Sequence, residues 1–142
     1  MSKVYFSDSG TKEVMINNLE KLYEKIPKDL KGKKVGIKIH FGEKGNTTHL
    51  NPEYAKKICE LVEKDGGKPE LIECNTLYRG QRTRTKDHKK LARNHGFDFA
   101  PVIICDGIKD WVIPIDGKHF KEAKIGGLVK NYDWIINPSH CK

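Results

Sequence analysis

The stretch His40-Phe-Gly-Glu-Lys-Gly-Asn-Thr-Thr-His-Leu-Asn-Pro52 decides how this chain is read. Before it stands Val35-Gly-Ile-Lys-Ile39, an apolar run that reads as a strand. After it, Asn51 and Pro52 read as the N-cap and first residue of a helix: Asn accepts from an orphan helix N–H, and Pro gives up nothing there. Gly42 and Gly45 let the backbone turn where a side chain would clash. Strand, glycine-bearing loop and capped helix make half of a βα unit. Ligands of open α/β sheets gather outside the carboxyl ends of the strands, and helix starts offer N–H groups to anions. His40, Glu43, Asn46, Thr47, Thr48 and His49 crowd polar chemistry into this loop. Gly, Asn and Thr also serve ordinary turns. The spacing is neither that of a P-loop nor that of a dinucleotide fingerprint.

Working outward, 142 residues suit a single domain, residues 1–142, with a real core. A charged fraction of 32% against 37% hydrophobic suits a solvated protein. No apolar run approaches membrane-spanning length and no signal peptide is recognised, so the expectation is a cytoplasmic protein without a membrane partner. The net charge of +8 comes mostly from scattered Lys, which reads as a solvated surface. With no nucleic-acid-binding motif, nucleic acid is not an expected partner. Cys59, Cys74, Cys105 and Cys141 form no Cys-x-x-Cys, so the spacing predicts no iron–sulfur cluster held by this chain.

Lys3–Phe6 reads as a first strand and Thr11 as an N-cap. Val14, Met15, Leu19, Leu22, Tyr23 and Ile26 recur at helical spacing up to Pro27. Ala55, Ile58, Cys59 and Val62 share a second helix face, ended by Gly66-Gly67, and Pro69–Cys74 is the next strand. Thr85 is read as the cap of a short helix carrying His88, Leu91 and Ala92. Val102–Cys105 is a strand leading into Asp106. Residues 111–115 and 120–125 form a short antiparallel excursion, and a brief helical link over 126–132 precedes a last strand, 134–137. The fold class is therefore α/β: a mainly parallel sheet with helices on both faces.

A second unusual loop, Asn75–Thr85, leaves the strand that ends at Cys74. Of the chain's four arginines, Arg79, Arg82 and Arg84 lie here. Arg presents a planar fork suited to carboxylate or phosphate, where Lys is a point charge. An exposed basic loop with no ligand is the bland alternative.

Taken together, Ile37–Thr47, Gly67–Gly80, His88 with His95-Gly-Phe97, and Ile104-Cys-Asp-Gly107 resemble, in order, the domain of unknown function 362 family. Its members are often labelled iron–sulfur centre proteins. The resemblance implies a longer domain, continuing past Ser139-His140 and often joined to a ferredoxin-like module. This chain is accordingly expected to be the N-terminal part of such a domain. It lacks that module's closely spaced cysteines, so the iron–sulfur label is not carried over.

Three readings stay open. In the first, an anionic small molecule is held by Arg79, Arg82 and Arg84. Glu43, Asn46, Thr47, Asn75, Thr76, Tyr78 and Asp106 line the site, and His40 or His88 exchanges a proton. Loss of Arg79 and Arg82 would then abolish binding and leave the melting temperature nearly unchanged. In the second, this is a metal or iron–sulfur-associated redox domain, its metal ion held by His40, Glu43 and His49, with Asp106, His140 and the strand-end thiols Cys74, Cys105 and Cys141 as further candidates. In the third, the domain is non-catalytic and pairs with a partner subunit or with itself through an exposed edge.

Overall fold

The computed structural model describes residues 3–8, 10–26, 28–106 and 108–139. Helix α1 (Lys12–Glu24) starts at Thr11, whose hydroxyl accepts from Val14 N–H at 3.4 Å. It ends with Lys25 N–H donating to the carbonyl of Leu22. Pro27, the expected stop, lies outside the described residues. Strand β1 (Lys34–Lys38) leads through the opening loop into α2 (Pro52–Lys64), capped by Asn51, whose side chain accepts from Glu53 N–H at 3.0 Å. Then come β2 (Lys68–Glu73), α3 (Thr85–Asn94) and β3 (Val102–Ile104). The excursion is an antiparallel pair, β4 (Trp111–Pro114) with β5 (Glu122–Ile125). A 3-10 turn, Val129–Asn131, precedes β6 (Trp134–Ile136).

The main sheet has the order β3-β2-β1-β6, every neighbour parallel. The chain builds β1, β2 and β3 in one direction, then returns to lay β6 on the far side of β1. The strand order thus reverses between β1 and β6. One sheet face carries Val35, Ile37, Leu71, Val102 and Ile104, which join Ala55, Ile58, Val62 and Ala92 of the helices in a single buried cluster. The other face, with Ile72 and Cys105 buried, is covered by the 126–132 segment: Leu128 N–H donates to the carbonyl of Cys105 and Tyr132 Oη to Glu70 Oε2 at 2.6 Å. Helical cover thus takes two forms, full α-helices on one side and a 3-10 turn on the other. The α/β class holds, parallel sheet and antiparallel excursion included.

Two local expectations are corrected. Lys3–Phe6 is not a strand: Val4 and Phe6 stay 88% and 86% exposed, so this short apolar run has no buried face to pair against. Thr85 does not cap α3. It is the helix's first residue, Arg84 holds the cap position without a side-chain bond, and Thr85 Oγ1 instead accepts from Asn75 Nδ2 at 3.1 Å.

Gly42 and Gly45 both adopt left-handed φ, +81° and +79°. A Cβ on Gly42 would come within 2.8 Å of the His49 ring, whereas one on Gly45 meets nothing within 4 Å. Gly45→Ala should therefore cost only the backbone term, about 1–2 kcal/mol. Gly42→Ala should cost that plus displacement of His49, a difference readable from urea midpoints.

Candidate functional site

Two neighbourhoods occupy the carboxyl edge of the sheet. The first ties the loop after β1 to the loop after β2. Arg82, 3% exposed, donates from Nε to Glu43 Oε1 at 2.6 Å, and its Nη2 lies 2.5 Å from the same oxygen. Tyr78 Oη also donates to Glu43 Oε1, at 2.7 Å, and accepts from Arg82 Nη2. Burial pushes the Glu43 carboxyl up, but the bonds from Tyr78 and Arg82 and the Arg82 charge outweigh it and hold it below the ordinary value. Arg82 is thus committed to the protein's own carboxylate. Arg79 and Arg84 are exposed. The unchanged melting temperature expected on losing Arg79 and Arg82 now applies to Arg79 alone.

Beneath this pair lies His88, fully buried. Asn75 Nδ2 donates to Thr85, so Asn75 Oδ1 is the atom 3.2 Å from His88 Nδ1 and must accept from it. That leaves the lone pair on His88 Nε2, which is buried and has no partner among the described residues. Burial, then the Arg82 charge, pulls the pKa of His88 down to about 4. Asp106 accepts from Asn75 N–H through Oδ2 at 2.7 Å, and Thr76 Oγ1 donates to the carbonyl of Tyr78. Asn75, Thr76, Tyr78, Arg82, His88, Asp106 and Glu43 therefore form one tied network that joins two loops.

The second neighbourhood is a cavity of about 330 Å³ where the strand order reverses. It is lined by Lys38 and His40 from β1 and its extension, Asn46, Thr48, His49 and Leu50 from the opening loop, and Asn137, Pro138 and Ser139 just past β6. Open α/β sheets place their ligand crevices at such a reversal. Gly42 N–H donates to His40 Nδ1 at 3.1 Å, so neutral His40 carries its proton on Nε2 and has a donor left to give. Burial, followed by the Arg82 charge, lowers its pKa and favours that neutral form. His49 is the opposite case. Its Nδ1 lies 3.0 Å from the carbonyl of Leu50 and must donate, which leaves Nε2 to accept. The ring is stacked on His95, 4.7 Å between centroids. Lys38 Nζ spans both oxygens of buried Glu73 at 2.9 Å and keeps a third N–H.

Of the residues anticipated from sequence, His40, Asn46 and His49 meet in this cavity; Thr47 is exposed beside it and does not line it. His40, Glu43 and His49 do not come together as a metal-holding triad, because Glu43 turns to Arg82. Among the described residues no three His, Cys, Asp or Glu side chains form such a group. Cys59 packs in the helix-side core, while Cys74 and Cys105 sit under Gly126 on the opposite face. Burial keeps the latter two thiols protonated, with pKa values pushed up to about 12 and about 11. His140 and Cys141 lie outside the described residues. Lys38, Leu50, Asn137, Pro138 and Ser139 were not anticipated. The available signal was a Lys within a buried strand and an Asn-Pro at the tip of the last one.

A family model described as Domain of unknown function (DUF362) matches residues 35–142, from the first residue of buried β1 sequence through the cavity-lining tip of β6. The chain belongs to the DUF362 family. The match takes in both neighbourhoods of this DUF362 domain and leaves out α1. No curated protein and no solved structure matches the chain. Among the described residues, no helix of this DUF362 domain is long and apolar enough to cross a membrane.

Proposed function

We propose that this domain binds a small anionic molecule in the cavity between the carboxyl ends of β1 and β6. The observation that carries the reading is the meeting of donors at the strand-order reversal: the third N–H of Lys38, His40 Nε2–H, and the side-chain amides of Asn46 and Asn137. Ligand pockets run from about 300 to 1,000 Å³, so a cavity of about 330 Å³ takes a compact group. The chain's charge of +8 favours approach of an anion. The reading puts the ligand near β6 and away from the arginine loop, because Arg82 is buried against Glu43 and does not line the cavity, whereas Lys38 and His40 line it and each keep a donor.

Titration calorimetry with phosphate, acetate, citrate and phosphorylated sugars tests this. At least one anion should saturate. Asn46→Ala and His40→Ala should each weaken it about tenfold, the loss of one good hydrogen bond to a charged group. Arg79→Ala should change nothing. Silence across the panel, or equal affinity in the Asn46 and His40 variants, would overturn the reading.

A further inference from the structure

The polar cavity has an apolar neighbour. A second cavity, about 310 Å³, lies between α1 and α2, walled by Met15, Leu19, Leu22, Leu50, Tyr54 and Ile58. Leu50, Pro138 and Ser139 line both cavities, so the two share a wall and adjoin at the tip of β6. The second space exists because α1 is incompletely seated. Tyr23 is its only buried side chain among the described residues, and Met15 remains 38% exposed. Its apolar stripe touches α2, with Leu19 against the core and Tyr54 Oη donating to Met15 Sδ at 3.5 Å, but does not fill the groove beside that contact. The polar groups at this cavity's margin are Ser7, Asp8 and Asn18, with Asn18 Nδ2 bound to the carbonyl of Asp8 at 3.1 Å.

We infer that the ligand is an amphiphile, an anionic head joined to an unbranched apolar body, with the head in the β1/β6 cavity and the body between α1 and α2. The inference rests on the anion-binding reading above and adds the substrate class. Donors set the orientation: the third N–H of Lys38 and the His40 Nε2–H stand at one end, and the acceptor-only Asp8 carboxylate borders the other. An anionic head is attracted to the first and repelled by the second. The shared wall is Leu50, Pro138 and Ser139, and the Ser139 hydroxyl already donates to the carbonyl of Asn137, so a hydrocarbon crosses it without stranding that polar group. The occupant is the free molecule. A groove of about 310 Å³ has room for a single acyl chain, and a bilayer lipid would have to leave its membrane to reach it.

The test is calorimetric binding of straight-chain carboxylates from acetate to decanoate, each below its micelle concentration. Affinity should rise about threefold to fourfold per added methylene until the cavity fills, then level off. Met15→Asp changes an exposed side chain and places a like charge along the body's path. It should flatten that series and leave acetate binding as in the parent, with Met15→Gln intermediate. Circular dichroism melts confirm that both variants fold. If small anions bind and chain length changes nothing, the inference falls and the anion site stands. If n-alcohols bind as tightly as the carboxylates of equal length, the anionic head is wrong and both readings fall. If the protein ignores monomeric acids but sediments with vesicles of anionic phospholipid, the ligand is a membrane surface and the inference is overturned.

Discussion

Truncating Glu43 to Ala is expected to lower the unfolding free energy by about 3–5 kcal/mol, because it leaves a buried guanidinium without its carboxylate. The Arg82 side chain is 4% exposed, while that of Glu43 is 35% exposed. The two partners are therefore unequal. Replacing Arg82 by Met keeps the aliphatic stem and leaves Glu43 able to take up water, with Tyr78 Oη still donating to it. That change should cost about 1–3 kcal/mol. The double variant should be more stable than Glu43→Ala alone, since it removes the stranded charge together with its partner. Urea midpoints of the four proteins decide the matter. Additive losses in the double variant, or an Arg82→Met cost equal to that of Glu43→Ala, would mean that the pair is not what holds the two loops together. Arg79→Ala, at an exposed position, should leave the midpoint in place.

Acid should weaken the fold through His88 before any carboxylate titrates. The unfolded chain takes a proton on this ring near 6.5, the folded chain only near 4. Between those values the unfolded state binds more protons, so stability falls as pH falls. The contribution is complete above pH 6.5 and gone by about pH 4, a total of about 3 kcal/mol. His40, lowered in the same direction, adds to the slope. His88→Gln should be less stable at pH 7.5 and should lose much of the slope between pH 6.5 and 5. A parent protein whose urea midpoint stays flat over that range would show that the folded ring accepts a proton without cost.

Much of the site was readable in advance where the signal is local. The opening loop is framed by a strand and by Asn51-Pro52, and the Asn51 cap bonds two residues ahead, so its chemistry lies within one short stretch. His40, Asn46 and His49 follow from that loop alone. The arginine loop was found by composition, but composition does not say what an Arg faces. Arg82 meets Glu43, 39 residues away, and a partner at that distance can only be seen once β1 and β2 lie side by side.

The amino-acid sequence by itself determined the α/β class, the helix starts at Thr11 and Asn51, and the polar loops at strand ends. Capping and hydrophobic periodicity act over a turn or two of chain, so they need no fold to be read. Tertiary structure alone decided that β6 returns beside β1 and brings Asn137, Pro138 and Ser139 to Lys38 and His40. It alone left Lys3–Phe6 outside the sheet and left a groove beside the contact of α1 with α2. Strand order and gaps depend on which distant surfaces bury one another, and that competition is settled by the whole chain at once.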